Sequence, residues 1–380
     1  MFLKSSLGIV NANRQYRLKE VPIMQASHVV SLTAGAALLG GIAVAPVPAP
    51  PAPSTAAAFA IQLTSGDAQD IVIDFVRHAE MISPYENMLT PSPDHPGAPL
   101  SELGQQQASD VGHQLFNELG QVAGLFAGQG LRVTETAAPF ADLVGMTPQL
   151  LPQLDEVDSG TYALDPIESL GGRLAFLTVA GWTLGAPLGL ALLPGPGSHD
   201  ANGIVMGERF DDGVQTMYDH ALANSDVISD NGQVTDVAFT STASIFTWVM
   251  QNVDNPDLPF FLDLIKEANS VPNGQTTIFL PNTAIVEVEG NPTDGWTLVS
   301  WDGHAIAENP DLLSALFVDV RDVMLPAQAA LWHIWEAVLG GDPATIMTAV
   351  QTGFDDVGSA LVQFPGSVFT DIIDAIGNLG

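Results

Sequence analysis

Hydrophobic positions in the middle of this chain come in short runs, separated by stretches with helical spacing. Residues 71–76 read IVIDFV, too short for a helix and suited to a strand buried on both faces. Residues 101–119 place Leu103, Ala108, Val111 and Leu115 near helical spacing, with Gly120 as a stop, and predict a helix. Residues 210–223 predict a second helix, and 237–240 a further core strand leading into a helical stretch over 243–253. Residues 276–280, 284–288 and 296–300 predict a closing β-meander, with turns at Asn291-Pro292 and Asp294-Gly295. No internal repeat is visible, and the alternation of strands and helices predicts an α/β fold.

Three regions depart from that pattern. Residues 174–199 contain no Asp, Glu, Lys or Arg and are mostly apolar. The stretch is long enough to span a bilayer, but a crossing there would put the two halves of one domain on opposite sides. It is therefore expected to be buried core or an apolar lid. The tail, 310–380, predicts amphipathic helices broken at 340–343 and at Phe364-Pro365-Gly366. At the other end, a basic stretch (4–19) precedes an uncharged run (29–45), a Pro/Ala linker (46–53) and Ala56-Ala57-Ala58. This is the order of regions in a signal peptide, with a mature start near Phe59. An uncleaved anchor is the alternative, disfavoured because a run of 17 residues is short for a span.

Charge narrows the functions. Lys and Arg total 10 against 43 Asp and Glu, a formal charge of −33, so nucleic acid and anionic lipid surfaces are repelled. Beyond residue 19 the only cations are Arg77, Arg132, Arg173, Arg209, Lys266 and Arg321, which makes each one worth examining. The chain has no cysteine, which removes thiol catalysis, disulfides and cysteine-bound zinc.

Chemistry gathers at Val76-Arg77-His78-Ala79-Glu80, directly after the first strand, where catalytic loops of α/β sheets sit. A histidine there can attack phosphorus, and the adjacent guanidinium can hold phosphate oxygens. Three further segments follow in order: Pro99-Leu100-Ser101-Glu102-Leu103-Gly104-Gln105-Gln106-Gln107-Ala108, Gly130-Leu131-Arg132-Val133-Thr134-Glu135-Thr136-Ala137, and Leu154-Asp155-Glu156-Val157-Asp158-Ser159-Gly160. Together they resemble the signatures of the histidine phosphatase (phosphoglycerate-mutase-like) superfamily, over roughly residues 70–305.

That resemblance implies a three-layer α/β/α sandwich over 59–309, with an apolar insertion at about 165–205. Residues 1–58 are then a signal peptide and linker, and 310–380 a C-terminal helical extension. It implies His78 as the phosphate-accepting nucleophile, Arg77 and Arg132 as the phosphate clamp, and Glu156 as the acid protonating the leaving oxygen. Flanking Asp155 and Asp158 would help keep such an acid protonated. No metal or organic cofactor is implied. One position departs from the family: its second histidine falls at Thr242, which offers one uncharged donor. Losing a charge-assisted donor from such a clamp costs ~10²–10³ in rate.

His113, His220 and His304 are read as exposed or structural, and Arg173 and Arg209 as surface ion pairs. A serine hydrolase is disfavoured because 240–243 lacks the glycines of a nucleophile elbow. The expected function is an exported phosphatase acting on a phosphorylated, apolar small molecule outside the cell or at its envelope. The alternative is a non-catalytic phosphate-binding or surface protein on the same fold.

Overall fold

In this computed structural model the described residues are 68–89, 97–270 and 279–377; the proposed signal segment and the expected strand residues 276–278 lie outside them. One sheet of seven strands organises the chain, in the order β3-β2-β4-β1-β5-β6-β7. The parallel half comprises β1 (Ile71–Arg77), β2 (Gly124–Ala127), β3 (Gln149–Leu150) and β4 (Thr235–Thr240). The antiparallel half is β5 (Ile285–Asn291), β6 (Gly295–Trp301) and the short β7 (His304–Ala305).

Every residue of β1, β2 and β4 is buried, which accounts for their largely apolar sequences, interrupted by Asp74 in β1 and Asp236 in β4. Alternate side chains go to opposite faces. Ile71, Ile73 and Phe75 pack toward α4 (Gly203–Ala223) and α5 (Thr242–Asn252), where Phe75 meets Phe210 and Trp248 at ring-centroid distances of 5.6 and 5.3 Å. Val76, Val237 and Phe239 pack toward α1 (Glu102–Leu119) and α2 (Leu131–Val144) on the other face. The result is a three-layer α/β/α sandwich.

Because β4 is inserted between β2 and β1 late in the chain, its C-terminal end emerges beside that of β1. Two chemically distinct loops, after Arg77 and after Thr240, thereby meet.

The apolar stretch forms α3 (Leu170–Thr183) and two short 3-10 turns, Ala186–Leu188 and Leu190–Leu192. Trp182 fills the core, while Leu170, Leu174 and Leu177 stay exposed at i, i+4 and i+7 on the outer face. No helix among the described residues is long and apolar enough to cross a membrane. The predicted strand at 276–280 is not one where it can be described, since 279–280 form a turn. After α6 (Leu258–Ser270) and the meander, the tail forms α7 (Leu312–Gly340) and α8 (Pro343–Gly377). The expected break at 364–366 is absent. Pro365 removes one helical hydrogen bond, but the carbonyl it strands belongs to half-exposed Leu361, which water can serve. Arg321, 2% exposed, docks α7 by donating to the carbonyls of Val253 (2.7 Å) and Met250 (3.4 Å) at the end of α5.

Candidate active site

The end of β1 is held on both sides. The Arg77 amide donates to the Ala284 carbonyl and the His78 amide to the Thr240 carbonyl, each at 3.0 Å. His78 is 4% exposed, and its Nδ1 lies 2.8 Å from the Ala79 carbonyl. A carbonyl oxygen can only accept, so Nδ1 carries the proton and Nε2 keeps its lone pair. Burial, then the charges of Arg132 and Arg77, hold the imidazole pKa well below its ordinary value. His78 is therefore a neutral imidazole with a fixed tautomer, the form a nucleophile needs.

The backbone following His78 is fastened by the sequence segments read above. The Ala79 amide donates to Thr136 Oγ1 (2.9 Å), whose own proton goes to the Arg132 carbonyl (2.6 Å). Ser101 caps α1 by accepting from the Gly104 amide at 2.9 Å, and donates its hydroxyl to Glu80 Oε1 at 2.8 Å. Gln107 accepts the Glu80 amide at 2.9 Å. Gly104 is required because a Cβ there would sit 2.0 Å from the Glu80 carbonyl oxygen. Ala108 packs with Ala79 and Leu100. The Leu-Ser-x-x-Gly-x-x-Gln-Ala pattern is thus a clamp on the His78 loop.

Both site arginines are buried, at 5% for Arg77 and 3% for Arg132. Arg77 donates to the Leu280 carbonyl and faces Glu86 at 3.6 Å; its Nε has no hydrogen-bond partner among the described residues. Arg132 faces Glu156 at 3.9 Å and donates to Ser241 Oγ at 3.5 Å. Both carboxylate separations exceed a good charge-assisted hydrogen bond, so an incoming anion can compete for either guanidinium. Burial depresses both arginine pKa values, and the nearby glutamates offset it.

Glu156, partly exposed, lies on the loop after the 3-10 turn Pro152–Leu154. The Leu154 and Asp155 carbonyls accept from Thr240 Oγ1 (2.5 Å) and Ser244 Oγ (2.9 Å), so the β4–α5 turn grips this loop. Burial raises the Asp155 pKa, while Asp155 Oδ1 accepts the Gln129 amide at 2.5 Å. Burial would raise Asp158 too, but bonds from the His199 and Gly160 amides and the His199 ring bring it below its ordinary value.

Thr242 is the first residue of α5. Its Oγ1 is buried without a hydrogen-bond partner among the described residues, and Ser241 before it provides no side-chain cap. The leading amides of a helix and its dipole favour an anion at that end. The structure therefore brings Arg77, His78, Arg132 and Glu156 to one locus, with Thr242 at the start of the adjoining helix α5.

Other candidates lie elsewhere. His113 is exposed on α1. His220 packs edge-on to Phe126 near the N-terminal ends of β2 and β4, and His304 stacks on Phe260 at the far edge of the sheet. Arg173 is exposed on α3. Arg209 is not a surface pair: it engages Asp200, which is 2% exposed. Sequence reasoning missed Glu86 and Asn282, whose Nδ2 donates to the His78 carbonyl at 3.2 Å. It also left Thr136 and Ser241 without roles, although both stood inside quoted segments. Among the described residues no group of three or more His, Asp or Glu side chains is arranged to hold a metal ion.

Residues 73–173 match the family model described as histidine phosphatase superfamily (branch 1). That segment includes His78, Arg77, Arg132 and Glu156 but stops short of Thr242. A PE-PGRS family protein of Mycobacterium tuberculosis is 44% identical over 313 residues, 82% of this chain and 50% of that protein. The chain thus spans about half the length of this curated relative. Solved structures with a similar chain path include mycobacterial hydrolase 1, at 17% identity and TM-score 0.43 over 62% of this chain and all of that one. A mycobacterial glucosyl-3-phosphoglycerate phosphatase gives 16% and 0.43, over 62% of this chain and 99% of its own. A phosphoserine phosphatase mutant from Entamoeba histolytica, in complex with phosphoserine, gives 17% and 0.39 over 61% and 96%.

Proposed function

We propose, from the premise that residues 73–173 belong to the histidine phosphatase superfamily, that this chain hydrolyses phosphomonoesters through a phosphohistidine on His78. The observation that carries the reading is the tautomer of His78: the Ala79 carbonyl fixes the proton on Nδ1 and leaves Nε2 free, between two buried guanidiniums. In the first step Nε2 attacks phosphorus and the ester P–O bond breaks. The departing oxygen takes a proton from Glu156 and leaves as the alcohol. Arg77, Arg132 and the α5 N-terminus balance the charge on the phosphoryl oxygens. In the second step water attacks phosphorus and gives its proton to Glu156. The P–N bond breaks, its electron pair returns to Nε2, and phosphate leaves.

Thr242 contributes a hydroxyl where the family pattern has a cation, so turnover is slow. The uncharged stretch over 174–199, which forms most of α3 and two short turns, favours an apolar group on the ester. The export reading rests on the order of regions over residues 1–58, and N-terminal sequencing of the mature protein should give a start near Phe59.

The test is turnover of a generic aryl phosphate across pH 4–8, in wild type and His78→Ala. Activity lost with His78 supports the reading. A second reading, phosphate binding without turnover, is favoured by Thr242 alone; it predicts phosphate affinity that depends on Arg77 and Arg132 with no turnover.

A further inference from the structure

Arg209 sits in the first half of α4, and its guanidinium is held by directed hydrogen bonds on both sides. Its Nε and one terminal nitrogen form a fork onto Asp200, at 2.8 and 3.0 Å. The other terminal nitrogen reaches the carbonyls of Gln153 (2.7 Å), Asp155 (3.1 Å) and, more distantly, Pro152 (3.4 Å). Asp200 then passes the tether on, since its Oδ2 also accepts the Asp158 amide at 2.9 Å. The loop is therefore fixed on each side of Glu156: at 153 and 155 by Arg209 directly, and at 158 through Asp200. Among the described residues Glu156 itself, 18% exposed in its side chain, has only a long 3.3 Å contact to the Val157 amide and the loose approach to Arg132. Its placement comes from its neighbours.

We infer that Arg209, with Asp200, is the positioning residue that holds Glu156 where it can protonate the leaving oxygen. This rests on the phosphatase reading and adds to it a dependence of acid catalysis on a side chain outside the pocket. A planar fork is needed, because the three donors of lysine leave from one nitrogen and cannot make both bonds to the carboxylate and reach the two carbonyls. A displacement of about an ångström in a catalytic group is enough to cost ~10² in rate.

The inference separates from a merely structural role by leaving group. A p-nitrophenolate departs without a proton, whereas an alkoxide needs one. Arg209→Met should lower kcat on an alkyl phosphate by roughly ten- to a hundredfold, and on p-nitrophenyl phosphate by less than about threefold. Asp200→Asn, a milder change that keeps the shape, should show the same selectivity with a smaller loss and guards against misfolding of the first variant. In a Glu156→Gln background, Arg209→Met should have no further effect on the alkyl ester, because the group it positions is already disabled. Equal losses on both esters, or additive losses in the double variant, overturn the inference while leaving the phosphatase reading intact. Hydrolysis of p-nitrophenyl phosphate that is absent from wild type, or unchanged in His78→Ala, instead removes the phosphatase reading and the inference with it.

Discussion

At the scale of single residues, the chemistry turns on protonation states that the fold imposes. Because burial and two guanidiniums depress the His78 pKa, the neutral nucleophile persists on the acid side of its ordinary titration range. The acid limb of kcat/KM should therefore fall well below pH 6.5, the ordinary histidine value; a limb at or above it would mean that His78 is not the group titrating. Thr242 is the second residue to test. Its hydroxyl, without a partner among the described residues, stands at the start of α5, where a cationic donor would strengthen the clamp in the transition state. Thr242→His should raise phosphatase activity by roughly tenfold or more, and the gain should vanish when His78→Ala is added. An unchanged rate in a normally folded Thr242→His protein would show that the helix amides already supply what the histidine would. Residues of this kind were legible because they stand in segments with a chemical reason for their spacing. Glu86 and Asn282 were not, because each reaches the site through a turn whose path no local pattern announces.

At the scale of elements, one of the segments that looked like catalytic signatures, 99–108, acts as a structural clamp. Ser101, Gly104, Gln107 and Ala108 touch no reacting group; they press the start of α1 against Glu80 and so set the His78 loop. Gly104→Ala places a methyl against the Glu80 carbonyl and should cost ~1–3 kcal/mol, read as a fall in thermal midpoint with reduced turnover. Gly358→Ala, in α8 with open space around it, is the matched control and should be neutral or slightly stabilising. Equal effects at the two sites would contradict the close-approach argument. The same physics explains which elements could be read from the chain. β1 and α1 declare themselves through a largely apolar run and a capped helical stripe. Helix α2 hides behind Pro139, and α6 starts amid Pro256 and Pro259, so residues that usually mark turns sit inside or beside helices. Strands β2 and β3 are four and two residues long, too short for a periodic signal. Arg209 could not be assigned from sequence because its partner Asp200 is buried by tertiary packing alone.

At the scale of the whole molecule, an acidic chain folds around carboxyl groups that it keeps protonated. Burial pushes Asp74 up to about 8, with Glu287 and Glu118 adding to it, and burial pushes Asp236 up to about 8 as well. An unfolded aspartate ionises near pH ~4, so between about 4 and 8 the folded state binds more protons than the unfolded one. Against an opposite and smaller contribution from the single buried His78 below pH 6.5, these two groups therefore lower stability as the pH rises through that window. Repulsion within a chain of charge −33 acts in the same direction, but salt screens it far more than it screens the buried groups. Measured in high salt, the thermal midpoint should rise from pH 8 to pH 5, and Asp236→Asn should flatten that slope; an unaltered slope would show that Asp236 does not carry it. The central proposal is that this protein passes a phosphoryl group through His78. The most direct measurement is rapid mixing with a phosphomonoester, quenching in alkali and mapping the modified peptide by mass spectrometry. The account predicts one transient phosphoryl group on the peptide containing His78, absent from His78→Ala. Turnover with no covalent label, or with the label on another residue, would contradict it.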